Sequence, residues 1–74
     1  MVFEKIKSIV AGRLGLDEEE VTMSSTLDDL GIDDVDMLDI VLDIEEEFDI
    51  SIENSDSDGF ETVEDIVKYI NANA

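Results

Sequence analysis

The chain has 74 residues, 22 of them acidic against 4 basic for a formal net charge of −18, with no cysteine, histidine or proline and 43% hydrophobic residues. A disulfide framework, a thiolate metal centre and chemistry that needs an imidazole base are thereby excluded. Between Arg13 and Lys68 there is no positive charge, and that interval holds every acidic residue except Glu4, which excludes nucleic acid as a partner and disfavours anionic membrane surfaces.

Val2, Phe3, Ile6, Ile9, Val10 and Leu14 recur at three- and four-residue spacing and predict a first helix. Its start, MVFEKIKSIV, carries lysines inside an amphipathic pattern and reads as neither a signal peptide nor a membrane span. A cytoplasmic protein, or a mature organelle form, is expected. Gly15 suits a left-handed cap that ends this helix. Residues 16–32 form a long connection anchored by Leu16, Val21, Met23, Leu27, Leu30 and Ile32. A connection of that length in a small domain carries function or helical turns of its own. A second helix is expected from Asp33 or Asp34 to Phe48, with Asp33 as N-cap and Asp36 completing a capping-box pattern in place of Glu. DISIE (49–53) alternates like a strand but has no second strand to pair with, and reads as an extended link. NSDSDG (54–59) is turn-rich, with room for one short helical turn. Thr62 caps a last helix with Val63, Ile66, Val67 and Ile70 as its apolar stripe. The expected fold is all-α, a small four-helix bundle of three longer helices plus one short helix, with a long loop between helices 1 and 2, in a single domain over residues 1–74.

At about 100° per residue the second helix presents three faces. Met37, Ile40, Val41, Ile44 and Phe48 form a core stripe, while Asp36, Asp39, Asp43, Glu46 and Glu47 form an acidic arc. Val35, Leu38 and Leu42 make a third, narrow apolar stripe beside the acidic one, where an ordinary surface helix needs only one. That stripe either packs under the 16–32 connection or stays open as a docking ridge for a partner with a basic rim and a small hydrophobic socket. Both hold together if Leu38 and Leu42 are only half covered.

Asn54, Asp56, Asp58 and Asp65 fall at oxygen-ligand positions of a calcium loop, with Gly59 at its sixth position. Against that loop stand Asn at the first position, the short Asp65 at the last, Glu61 where an apolar residue is usual, and Thr62 better used as a helix cap. Loose divalent-ion association with the acidic face needs no designed loop, and no dedicated metal site is expected.

The blocks RLGLDEEEVT, TLDDLGIDDVD, LDIEEEFDISI and TVEDIVKYI, in this order and over nearly the whole chain, resemble an acyl carrier protein of bacterial type II fatty-acid synthesis. In that family a serine follows the Asp of an LGxD turn, and a transferase joins 4′-phosphopantetheine to it through a phosphodiester. The thiol at the arm's end carries the growing acyl chain. Leu30-Gly31-Ile32-Asp33 matches the turn, Val35 and Asp36 match the positions that follow, and the residue between them is Asp34. Attack by a carboxylate would give a mixed anhydride that water cleaves, so the chain as written is expected to carry no arm. Ser24 and Ser25 lack the following helix pattern, and Ser57 is followed by Asp58 where an apolar residue belongs. Asp34 is tolerated because the start of a helix favours a carboxylate and because its charge equals that of the phosphodiester it replaces. It is either an engineered replacement or the mark of a divergent carrier working without an arm.

The resemblance implies a non-enzymatic, monomeric carrier that docks to fatty-acid synthesis enzymes and phosphopantetheinyl transferase through basic patches on those partners. It makes Val35, Leu38 and Leu42 the apolar docking residues and Asp36, Asp39, Asp43, Glu46 and Glu47 the electrostatic ones. An attached acyl chain would shelter in the apolar interior between helices. The rival reading is an arm-free acidic regulatory or calcium-binding module, and an enzyme is least expected because no nucleophile–base pair is present. With its carboxylates crowded into an interval free of cations, the chain repels itself when folded. Raising sodium chloride from about 20 mM to 0.5 M, which shortens the screening length well below the molecular size, is expected to raise the melting temperature followed by circular dichroism. A melting temperature that does not respond to salt would show the repulsion to be small.

Overall fold

A computed structural model describes residues 2–73, so Met1 and Ala74, the two ends of the expected domain, lie outside the described residues. Helix α1 spans Val2–Leu14, α2 Asp34–Phe48, α3 Asn54–Ser57 and α4 Val63–Asn73, with a 3₁₀ turn at Glu18–Glu20 between α1 and α2. The order is the expected one of three longer helices and a short one, and no strand forms among the described residues.

Local devices close the C-terminus of α1, both ends of α2 and the start of α4. Gly15 takes φ 70°, and the Leu16 N–H donates to the Ala11 carbonyl at 3.0 Å, which satisfies a carbonyl freed at the end of α1. Asp33 caps α2 by accepting the Asp36 N–H at 2.8 Å. At the far end Asp49 sits in the left-handed region at φ 54°, a cap for which glycine is the usual residue and for which the sequence offers no signal. The expected extended link leaves that cap, and the Glu45 carboxylate holds it by accepting the Ile52 N–H at 2.7 Å. Thr62 and Asp65 close α4 reciprocally: Thr62 Oγ1 accepts the Asp65 N–H at 3.2 Å, and Asp65 Oδ2 accepts the Thr62 N–H at 3.1 Å and the Glu61 N–H at 3.0 Å.

The apolar stripes of the three longer helices meet in one core. Ile6, Val10, Ile40, Ile44, Val63, Ile66 and Ile70 are fully buried, Val21, Leu27 and Ile52 join them from the connecting segments, and no polar or charged side chain among the described residues is buried. Each such isoleucine contributes about 1.5–3 kcal/mol relative to exposure. α1 packs against both α2 and α4. The segment that leads into α2 is tied to the start of α4 by backbone pairing: Leu27 N–H to Glu61 O at 2.9 Å, Val63 N–H to Ser25 O at 3.0 Å and Glu64 N–H to Met23 O at 3.1 Å, around an isolated antiparallel bridge between Thr26 and Thr62. The hydrophobic spacing marks Val21 and Leu27 as anchors but carries no sign of this pairing.

The N–H donors of Glu61 and then Thr62 hold the Asp65 carboxyl below its ordinary value. A depressed folded-state value stabilises the fold above the ordinary carboxylate range, and that stabilisation is lost as pH falls through the folded value. Asp65→Ala is therefore expected to lower the melting temperature at pH 7 by roughly 4–8 °C, the shift that loss of a capping bond of about 1 kcal/mol produces in a domain of this size. The gap from the parent chain should narrow as pH falls below about 4. A gap that does not change with pH would show that the charge on Asp65 is not what holds the cap.

Candidate functional site

The site begins with the turn before α2. Buried Leu27 anchors it, Leu30 N–H donates to Thr26 O at 3.1 Å, Gly31 N–H to Asp28 O at 3.0 Å and Ile32 N–H to Leu27 O at 3.0 Å. Gly31 adopts φ 77°, a conformation that a residue with a Cβ rarely takes. The chain then extends through Asp33, whose side chain is committed to its cap, and Asp34 emerges exposed as the first helical residue. There the unpaired N–H groups and the positive end of the helix dipole favour its carboxylate.

Asp34 stands at the edge of a cleft of about 320 Å³ between α2 and α3, lined by Met37, Leu38 and Val41 on one side and Asn54, Ser57 and Asp58 on the other. Another cleft of about 180 Å³ is also lined by Asp34 and extends to Leu27, Ile32 and Phe60. Phe60 stacks edge-on against Tyr69 with ring centroids 5.6 Å apart, and the Tyr69 hydroxyl donates to Asp56 at 3.0 Å, which ties α3 to α4. Loss of water around the phenol and this bond both raise the Tyr69 value.

Along α2 the core stripe is buried at Ile40, Val41 and Ile44. The third stripe is open: Val35 is 67% exposed, Leu38 59% and Leu42 56%. Packing of that stripe under the 16–32 connection, one of the two expectations, does not occur. Residues 23–27 of that connection pair instead with residues 61–64.

The acidic arc divides in two. Asp36 and Asp39 are partly exposed and Glu46 is exposed. Asp43 is gripped by Arg13 of α1, Nε to Oδ2 at 2.7 Å and Nη2 to Oδ1 at 3.1 Å, and Lys5 reaches Glu47 at 3.1 Å. The Arg13 hydrogen bond and charge hold the Asp43 carboxyl below its ordinary value and in turn raise that of the guanidinium. These pairs were not foreseen. The available signal was cations at residues 5 and 13 of one helix and anions at 43 and 47 of another, a match that depends on the two helices packing side by side.

The calcium-loop residues are put to other uses. Asp56 accepts the Tyr69 hydroxyl, Asp65 caps α4 and Asn54 begins α3, and among the described residues no group of three or more such side chains is placed to hold a metal ion. The calcium-binding reading is therefore not supported.

Residues 4–70 match the family described as the phosphopantetheine attachment site. An acyl carrier protein of Clostridium perfringens is 44% identical over 70 residues, covering 93% of this chain and 92% of the relative. One from Clostridium acetobutylicum is 45% identical over 73 residues, covering 97% and 95%. The chain belongs to the acyl carrier protein family. The crystal structure of an acyl carrier protein from Thermotoga maritima superposes on it with a TM-score of 0.81 at 29% identity, covering 93% of this chain and 81% of that one. Among the described residues of this acyl carrier protein, no helix is long and apolar enough to cross a membrane.

Because Leu38 projects from the acyl carrier fold rather than into its core, Leu38→Gln is expected to leave stability within about 0.5 kcal/mol of the parent, measured by thermal or urea unfolding. A loss of 2 kcal/mol or more, the scale of a core truncation, would show that the ridge is structural.

Proposed function

We propose that this chain is a carrier-type docking domain of fatty-acid synthesis, non-enzymatic and monomeric, which as written holds no 4′-phosphopantetheine arm. The observation that carries the reading is the position of Asp34. It is the exposed first residue of α2, directly after the Asp33 cap and beside the open ridge of Val35, Leu38 and Leu42. In the family this is the position of the attachment serine.

The residues present do not fit the group. A phosphodiester needs a hydroxyl, and Asp34 supplies a carboxylate whose phosphoryl adduct is a mixed anhydride that water cleaves. The helix start favours the anion, which offsets crowding from Asp33 and Asp36. In a family member with the serine, the arm supplies the thiol that carries acyl intermediates, and the cleft bordered by Met37, Leu38 and Val41 offers apolar shelter next to the attachment point.

Docking needs no arm. The exposed ridge supplies contact area worth about 25 cal/mol per Å² removed from water. The carboxylates of the acidic arc steer basic partners, the synthesis enzymes and the phosphopantetheinyl transferase, and fix their orientation. The same charge opposes pairing of two copies through this face.

The deciding experiment is Asp34→Ser incubated with a phosphopantetheinyl transferase and coenzyme A, read by intact-protein mass spectrometry. The variant is expected to gain one arm, mapped to residue 34, while the parent gains none. A variant that stays unmodified under conditions that load a known acyl carrier protein removes the main support for the reading.

A further inference from the structure

The docking face is not uniform. Of its five carboxylates, Asp43 and Glu47 face cations of α1, whereas Asp36, Asp39 and Glu46 form no ion pair among the described residues. Arg13 spans both oxygens of Asp43, and the more distant charges of Asp39 and Glu46 add to the attraction. Lys5 is steadied further by the Phe48 ring, 5.9 Å from its ammonium. Lys7 lies over Phe3, 5.3 Å from the ring, and Lys68 lies on α4, so neither duplicates the clamp.

We propose that Arg13 sets the docking register of this protein. By occupying Asp43 it confines the productive footprint of a basic partner to Val35, Asp36, Leu38 and Asp39, on the half of α2 next to residue 34.

This rests on the docking reading of α2, and the physical reason is exchange. A partner's arginine or lysine that reaches Asp43 must first displace Arg13, so it replaces one charge-assisted pair by another and gains only the difference. At Asp36 or Asp39 it forms a pair where the free protein has none. The Arg13–Asp43 pair is partly exposed, with side chains 45% and 32% accessible, so a competitor reaches it easily and its protection comes from the exchange balance rather than from burial. The uncompensated field also leans toward the start of α2, where Asp28, Asp29, Asp33, Asp34 and Asp36 cluster and form no ion pair among the described residues. A partner steered by that field arrives over residue 34 with its apolar socket on Val35 and Leu38. Placing the partner there brings its reacting centre to the attachment position of the family, whereas a footprint centred on Asp43 and Glu47 would place it more than a helical turn away.

The test uses the intact chain and a bacterial phosphopantetheinyl transferase as the basic probe, with Kd read by fluorescence anisotropy at low and at high salt. Arg13→Gln is expected to tighten binding about three- to tenfold at low salt, because Asp43 becomes available, and the gain should fade as salt screens the charges. The cost of Asp43→Asn should then be at least threefold larger in the Arg13→Gln background than with Arg13 present. Lys68→Gln, which changes the net charge equally but leaves the clamp intact, should shift Kd less than Arg13→Gln. Arg13→Lys, which keeps the charge and loses the fork, should fall between parent and Arg13→Gln and serves if the glutamine variant is poorly folded. Equal costs of Asp43→Asn in both backgrounds, or a Lys68→Gln effect as large as that of Arg13→Gln, would overturn the proposal. If Leu38→Gln and Asp39→Asn leave Kd unchanged, or the parent chain does not bind, the docking reading of α2 fails instead. If those two weaken binding while the Arg13 cycle shows no coupling, docking stands and the register role of Arg13 falls.

Discussion

A core of Ile6, Val10, Ile40, Ile44, Val63, Ile66 and Ile70, unbroken by any polar side chain among the described residues, stands against a net charge of −18. Aliphatic burial is insensitive to charge, and in a chain without disulfides it is the main term that opposes self-repulsion. Every other feature is arranged around that opposition. The carboxylates stay at the surface, where water screens them, and the β-branched aliphatics fill an interior shared by three helices. A domain this small hides only about 60% of the surface its unfolded chain exposes, so each buried isoleucine matters to the balance.

The long connection is tied to the small core at two points. Val21 and Leu27 plug into the interior, and the backbone between them pairs with the start of α4. The backbone of the connection is thus engaged with α4, and Val35, Leu38 and Leu42 remain exposed. The pairing also fixes the turn that delivers Asp34 to the first helical position.

Basic residues are few, and their placement matters more than their number. Lys5 and Arg13 bridge α1 to α2 and relieve repulsion where two helices pack. At the opposite end of α2, Asp33, Asp34 and Asp36 form no ion pair among the described residues, an arrangement that costs stability. Asp34 belongs to that end. Its charge is compatible with the helix dipole, so the start of α2 accommodates it.

The helices, their caps at Gly15, Asp33 and Thr62, and the apolar stripes that form the core are legible in the sequence alone. These are local matters of spacing and side-chain chemistry within a few residues, and periodicity reports them directly. The left-handed Asp49 cap carried no such signal, because the usual marker of that conformation is glycine. The tertiary structure adds that the third stripe of α2 is open, that Asp56 accepts the Tyr69 hydroxyl and Asp65 the Thr62 N–H, and that Arg13 and Lys5 hold Asp43 and Glu47. Each of these depends on which elements lie side by side, with partners 30 and 42 residues apart in the case of the two ion pairs. Helical periodicity says which residues share a face; packing decides what that face meets.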